Sequence, residues 1–316
     1  MNILLCGEFG AAELAAWQQC LRAALPEARW LDRDAALAQA DAVEVAVVAN
    51  PPPGSLRGLP RLRLIQSLWA GVERLLRDPT LPAGVPIARM VDPAMTAAMA
   101  ETALWATLAL QRGFFDYALD QRERRWQQRP QRRADSLRVL VLGLGEMGLA
   151  AARRLVQLGF QVSGWSLHPR AAAALPAGIG HRHGAAALPG LLAQSDIVIN
   201  LLPLTPATEG LLDAAFFAAL PRGAGVVNLA RGAHVVDADL LAALDRGQVG
   251  RAVLDVFHQE PLPPEHPYWQ HPRVTLLPHV AAQTAPHSAA QVVAANVRAL
   301  AAGAPLAHLV PVGRGY

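Results

Sequence analysis

Leu137-Arg-Val-Leu-Val-Leu-Gly143-Leu-Gly145-Glu-Met-Gly148 is the stretch that decides how this 316-residue chain is read. An apolar run of strand length ends at Leu142, glycines follow at G-x-G-x-x-G spacing, and a helical pattern continues to Leu158. The first glycine permits a tight turn, the second lets a pyrophosphate approach the backbone, and the third lets the helix pack on the strand. Gln161–Trp165 reads as a second strand, so the unit has the size of a Rossmann βαβ with phosphates held at the helix N-terminus. Gly143, Gly145 and Gly148, with Glu146 and Met147 between them, are therefore the candidate cofactor loop.

The end of the second strand distinguishes the two nicotinamide dinucleotides. A carboxylate there would bond the ribose 2′-hydroxyl and repel a 2′-phosphate. Here the chain reads Trp165-Ser166-Leu167-His168-Pro169-Arg170, with no acid. Ser166 can donate to a phosphate, and Arg170 or His168 can supply charge. The expected cofactor is NADPH, with NADH as the alternative.

Outward from this unit, further strands are expected at Ile197–Leu201, Gly225–Asn228, Ala252–Asp255 and Val274–Leu277, with helices between them. Upstream, Ile3–Cys6, Val43–Val48, Leu64–Ser67 and Val85–Ala88 read as strands of a smaller parallel α/β unit, with a helix over Ala11–Ala24. Met95 to about Gln128 carries one long helical pattern, Pro130 to Asp135 a polar linker, and Ala285–Gly303 a helix leaving the dinucleotide unit. The expected fold class is α/β with two domains. A flavodoxin-like substrate domain would span residues 1–95, completed by 285–316, and a Rossmann-type cofactor domain residues 96–284, with the active site in a cleft between them.

Composition removes several classes of function. Hydrophobic residues make up 53% and charged residues 17%, as in an ordinary globular protein. No apolar run reaches the ~20 residues that span a bilayer, and Met1-Asn-Ile-Leu-Leu-Cys reads as a strand rather than a leader. With only Cys6 and Cys20 there is no disulfide framework and no C-x-x-C site, so a cytoplasmic location is expected. A net charge of +3 without a basic run longer than Gln131-Arg-Arg argues against nucleic acid or a membrane as partner. All 28 basic residues are arginine, which excludes Schiff-base lysine chemistry and a P-loop lysine. His181 and His183 lack a third ligand and are expected in a solvated turn, so no metal is expected.

Three groups with complementary chemistry each follow an apolar, strand-like run: Arg231 in Asn228-Leu-Ala-Arg-Gly, Glu260 in Asp255-Val-Phe-His-Gln-Glu-Pro, and His279 in Thr275-Leu-Leu-Pro-His. A guanidinium, a carboxylate and an imidazole near a dinucleotide can grip a substrate carboxylate, orient an acid and protonate a carbonyl.

These residues resemble the D-isomer-specific 2-hydroxyacid dehydrogenase family, and within it the NADPH-preferring reductases. The resemblance rests on Gly143–Gly148, Gly164-Trp-Ser166, Ile199–Gly210, the run from Val226 to His279, and the terminal Gly313-Arg-Gly-Tyr316. It is looser over the first ~95 residues, where Trp69-Ala-Gly-Val-Glu73 stands for the family's G-A-G-V-D and places an indole where the family has glycine. The resemblance implies reduction of small 2-oxo acids such as glyoxylate and hydroxypyruvate to glycolate and D-glycerate; a bulkier 2-oxo acid is the alternative. It also implies roles. Arg231 would hold the substrate carboxylate and 2-oxo oxygen, completed by backbone N–H groups of Ala70 and Gly71 beside Trp69. His279 would be the acid, and Glu260 its partner. Leu202, Pro203, Thr208, Leu229, Ala230, Arg231, Asp255 and His279 would line the cofactor, with Met99 and Thr102 approaching from the connecting helix. A homodimer through that helix is implied as well, with Trp126 beside the partner's pocket or simply packed on its helix. A similar glycine loop occurs in 3-hydroxyacid dehydrogenases, but those need a lysine that this chain lacks. A dinucleotide-sensing binding protein on the same scaffold is the rival from another class.

Overall fold

The structure, a computed structural model, describes residues 1–171 and 175–311; the Gly313–Tyr316 tail lies outside the described residues. The chain divides into two compact units, residues 1–95 together with the chain from Thr284 onward, and residues 96–283.

In the first unit β1 (Asn2–Gly7), α1 (Ala11–Ala24), β2 (Arg29–Leu31), α2 (Arg33–Leu37), β3 (Val43–Ala49), β4 (Leu64–Ser67), α3 (Glu73–Leu76) and β5 (Ile87–Ala88) follow in order. The five strands lie in the order β2-β1-β3-β4-β5 and pair in parallel, the 2-1-3-4-5 arrangement of flavodoxin-like sheets. Helices on both faces leave β3 almost wholly buried, which is why its sequence is a continuous apolar run rather than an alternation. Expected Val85–Ala88 shrinks to the two residues of β5. β2 carries no periodicity that would have announced it; three residues at a sheet edge are paired through their backbone.

The chain enters the second unit within α4 (Pro93–Arg112), which Asp92 caps by accepting from the Ala94 N–H at 3.0 Å. The single helix expected to about Gln128 is instead two. Gly113 takes a left-handed backbone (φ 65°), which ends α4, and α5 runs only from Phe114 to Arg122.

Next come β6 (Arg138–Leu142), α6 (Glu146–Gln157), β7 (Gln161–Ser166), β8 (Ile179–His183), α7 (Leu188–Leu192), β9 (Ile197–Asn200), α8 (Ala214–Ala219), β10 (Ala224–Asn228), α9 (Asp237–Asp245), β11 (Val249–Leu254) and β12 (Val274–Leu276). They form one parallel sheet in the order β12-β11-β10-β9-β6-β7-β8. Read from the other edge this is 3-2-1-4-5-6-7, so β6 sits where the winding reverses, the point at which doubly wound sheets bind ligands. Two apolar layers enclose the sheet, one with Val139, Val141, Ile197 and Val227, the other with Leu140, Leu142, Val198 and Val226. The solvated turn expected around His181 and His183 is corrected by β8: both are strand residues on the sheet margin, in register with Gly164 and Ser166. The chain leaves this unit at Gln283, and α10 (Pro286–Ala301) packs on α1 of the first. No helix among the described residues is long and apolar enough to cross a membrane.

Candidate active site

The glycine loop meets the demands read from its spacing. Gly143 has φ 88° and lies against the Leu201–Leu202 backbone, where a Cβ would meet the Leu201 carbonyl oxygen at 2.6 Å. A Cβ on Gly148 would collide with the Gly143 carbonyl, so the helix can only close onto the turn with glycine there. At Gly145, the residue preceding the 12-residue α6, a Cβ would meet nothing within 4 Å. The open side of that turn, facing unsatisfied N–H groups at a helix start, suits a pyrophosphate. Glu146 opens α6 exposed and Met147 is partly buried behind it.

Beyond the switch point, β9, β10, β11 and β12 are successive neighbours, and their C-terminal ends carry Leu202, Pro203, Leu229, Ala230, Arg231, Asp255, Glu260 and His279. Two asparagines that the sequence reading missed organise the first two of these ends. Asn200 and Asn228, both 0% exposed, are joined side chain to side chain at 3.0 Å. Asn200 Oδ1 accepts from the Leu202 N–H, Asn228 Oδ1 from the Ala230 N–H, and Asn228 Nδ2 donates to the Arg231 carbonyl at 2.9 Å. An asparagine closing a buried apolar run, as in Ile197-Val-Ile-Asn and Val226-Val-Asn, is the signal that could have found them, since such a side chain has to be bonded. Leu202, Leu229 and Ala230 are buried and Pro203 partly so. Thr208 is buried too, and its hydroxyl is used inside the 203–208 turn, donating to the Pro203 carbonyl at 2.8 Å.

Arg231, Glu260 and His279 are brought together. Glu260 Oε2 accepts from His279 Nδ1 at 2.6 Å, and its other oxygen accepts from the Phe257 N–H at 2.9 Å. The bond from Glu260 lifts the His279 pKa above its ordinary value; burial opposes this, the charges of Glu260 and Asp255 reinforce it, and Arg231 opposes it. For Glu260, burial pushes upward, but the bonds from His279 and Phe257 and the charges of His279 and Arg231 outweigh it, and the net shift is downward. Because Nδ1 faces Glu260, Nε2 is the ring nitrogen left for a substrate oxygen. The ring is about half exposed and sits on a left-handed backbone (φ 53°).

Asp255 holds that backbone in place. Its carboxylate accepts from the N–H groups of Val280 (2.7 Å) and Ala281 (3.1 Å), and its carbonyl accepts from the His279 N–H. Burial raises the Asp255 pKa although both N–H bonds pull it down. From α4, Thr102 donates to the Ala281 carbonyl at 2.8 Å, and Met99 is buried in the adjoining layer. Arg231 donates to the Ala230 carbonyl at 2.6 Å. Gly232 beside it is a third missed residue: a Cβ would strike the Phe257 carbonyl, so glycine lets the Arg231 loop lie directly on the loop that carries Glu260.

At the far end of β7, Ser166 Oγ donates to the His168 carbonyl at 2.7 Å and also contacts His181 Nε2 at 2.8 Å. Arg170 is partly exposed and His168 exposed. No described acid acts on the His181 ring; burial, then the charges of His183, Arg170 and Arg182, hold its pKa below the ordinary histidine range. Among the described residues no three His, Cys, Asp or Glu side chains are grouped to hold a metal ion.

In the first unit, the indole of Trp69 meets that of buried Trp17 edge-on, with centroids 6.2 Å apart. The Trp69 N–H and carbonyl are both bonded to Ser67 Oγ, and the carbonyl also accepts from the Met90 N–H. Ala70 and Gly71 follow, both partly exposed.

Glutamate 260 gives a directional test. If protonated His279 is the working acid, activity falls as pH rises through its raised pKa. Glu260→Gln removes the charge and leaves only a neutral, weaker acceptor for the ring, so the descending alkaline limb of kcat/KM moves to lower pH. A limb that stays in place in a pH series detaches Glu260 from the ionisation.

A doubly wound sheet with a glycine turn at its switch point, and Arg, Glu and His after three successive strands of the same sheet, points to a dinucleotide-dependent dehydrogenase. Residues 104–281 match the D-isomer specific 2-hydroxyacid dehydrogenase NAD binding domain, and the chain belongs to that family. Over its full length it is 40% identical to glyoxylate/hydroxypyruvate reductase A of Serratia proteamaculans, covering 100% of both chains. Two solved structures are similar throughout. One is a D-isomer specific 2-hydroxyacid dehydrogenase from Xanthobacter autotrophicus in complex with NADPH and MES (40% identity, TM-score 0.92, 100% of this chain and 99% of that one). The other is an NADPH-dependent glyoxylate/hydroxypyruvate reductase from Sinorhizobium meliloti in complex with NADP and sulfate (33% identity, TM-score 0.91, the same coverage).

Proposed function

We propose that the protein reduces small 2-oxo acids, glyoxylate and hydroxypyruvate, to glycolate and D-glycerate with NADPH. The observation that carries the reading is the His279–Glu260 bond in the electrostatic reach of Arg231, on loops that follow β10, β11 and β12 of the sheet that carries the glycine turn. The full-length likeness to reductases of that activity supports it.

Gly143–Gly148 would hold the pyrophosphate, with Leu202, Pro203, Leu229 and Ala230 along the rest of the dinucleotide. Thr208 and Asp255 would shape the loops around it, since their side chains are used within them. The bound cofactor supplies a hydride to the carbonyl carbon. Arg231 grips the substrate carboxylate and the 2-oxo oxygen with its planar fork, fixing which carbon faces the hydride. As negative charge develops on that oxygen, His279 Nε2 delivers its proton there. Glu260 accepts the Nδ1–H throughout, so the ring keeps its orientation and its charge is balanced.

The test is direct: NADPH is mixed with glyoxylate or hydroxypyruvate and absorbance of the reduced nicotinamide is followed. Consumption is expected; none would favour a dinucleotide sensor. The cofactor preference has its own test. Ser166→Asp puts a carboxylate at the end of β7 and should swing preference to NADH; NADPH still preferred by the variant would place the selecting residues elsewhere.

The working form we propose is a cytoplasmic homodimer joined through the α4–α5 region. The exposed Phe114, Trp105 and Trp126, the last 95% accessible, support a covered surface there.

A further inference from the structure

We propose that His181 is a positioning residue for NADPH selection: from the sheet margin it donates through Nε2–H to Ser166 Oγ and holds that hydroxyl ready to donate to the 2′-phosphate. This rests on the cofactor reading above and adds a residue from β8 that the loop after β7 does not contain.

The geometry settles which atom carries the proton. Ser166 Oγ lies 2.7 Å from the His168 carbonyl oxygen and 2.8 Å from His181 Nε2. A carbonyl oxygen only accepts, so the single hydroxyl proton goes to it, and His181 must supply the proton in the second bond. The histidine is thus a donor to Ser166 even as a neutral ring. Parallel pairing keeps it there: Gly164 pairs with His181 and Ser166 with His183, which places the histidine one pleat back from the serine it supports.

The surroundings suit an anion. The His183 ring stacks on that of His181 with centroids 5.9 Å apart, and Arg182 Nη1 donates to the His181 carbonyl. Arg170 and Arg182, both permanently cationic, act on His181 together with the neighbouring His183 ring. A phosphate dianion would answer that charge. When it arrives, the Ser166 hydroxyl turns its proton from the exposed His168 carbonyl to a phosphate oxygen while His181 goes on donating to Oγ. A donor behind a donor polarises the outer O–H and strengthens its bond. NADH has only a ribose hydroxyl at this place, so its binding gains little from the arrangement.

The test measures dissociation constants for NADPH and NADH by titration calorimetry on the wild type, His181→Ala, His181→Gln, Ser166→Ala and the Ser166→Ala/His181→Ala double variant. His181→Ala is expected to weaken NADPH by about tenfold and NADH by less than about twofold, as for loss of one bond serving a charged ligand. His181→Gln, whose amide can place an N–H near the imidazole Nε2 position, should restore most of the loss. In the Ser166→Ala background, His181→Ala should cost nothing further. Equal weakening of both cofactors, no rescue by Gln, or an undiminished effect without the serine overturns the proposal. A wild type that does not prefer NADPH sinks the cofactor reading and the inference together; one that prefers NADPH, with His181→Ala unchanged, sinks the inference alone.

Discussion

Replacing His279 with Asn is expected to lower kcat for glyoxylate by about 10²–10⁴, the range for loss of a general acid, while NADPH affinity stays nearly constant. Asparagine is the informative replacement because position 279 has a left-handed backbone, which Asn tolerates better than most residues. The loop is also held by bonds that do not involve the ring: the His279 N–H on the Asp255 carbonyl, and the Val280 and Ala281 N–H groups on the Asp255 carboxylate. The substitution therefore removes the imidazole from an intact turn. Stopped-flow single turnovers with NADPH separate the chemical step from product release. If the hydride step keeps its wild-type rate in the variant, His279 has no part in it.

The second large effect is expected at Arg231. Arg231→Ala should raise KM for the 2-oxo acid far more than it changes NADPH affinity. By comparison with the ~2–5 kcal/mol lost when a buried charge pair is broken, the penalty in kcat/KM is about 30-fold to several thousandfold. The loop should survive the change, since Asn228 holds the Arg231 carbonyl and Gly232 lies on the Phe257 backbone, neither through the guanidinium. A companion signature follows from electrostatics. The charge of Arg231 lowers the pKa of His279, so its removal moves the alkaline limb of residual activity to higher pH, opposite to Glu260→Gln. Arg231→Lys keeps the charge but loses the planar fork, and should restore the limb without restoring KM. A KM equal to wild type in the alanine variant would mean that the arginine is structural.

The parts of the fold legible in the sequence were those under local constraint. The turn at Gly143–Gly148 announces itself because a positive φ and a backbone contact exclude other residues at fixed spacing. The strands β9 and β10 and the Ala252–Leu254 end of β11 are legible because a parallel sheet covered on both faces needs apolar runs; Arg251 hides the start of β11. Arg231, Glu260 and His279 could be picked out because they follow such runs, although their meeting depends on β10, β11 and β12 being neighbours, which no local pattern states. The sheet margins were not legible. In β8, Ile179-Gly-His-Arg-His has one apolar residue, and its strand character comes from pairing with β7. Periodicity likewise ran through Gly113, because the apolar residues after it continue the helical pattern while the backbone turns. No local pattern marks Gly232; only the fold reveals Phe257 behind it.

That shared wall between the loops at 231 and 257 has a consequence for anyone redesigning the enzyme. The loops that carry Arg231 and Glu260 cannot be shifted independently: widening one pushes the other. Directed evolution toward bulkier 2-oxo acids should leave this seam untouched and accumulate its changes elsewhere, and libraries built across positions 230–233 should yield mostly inactive clones.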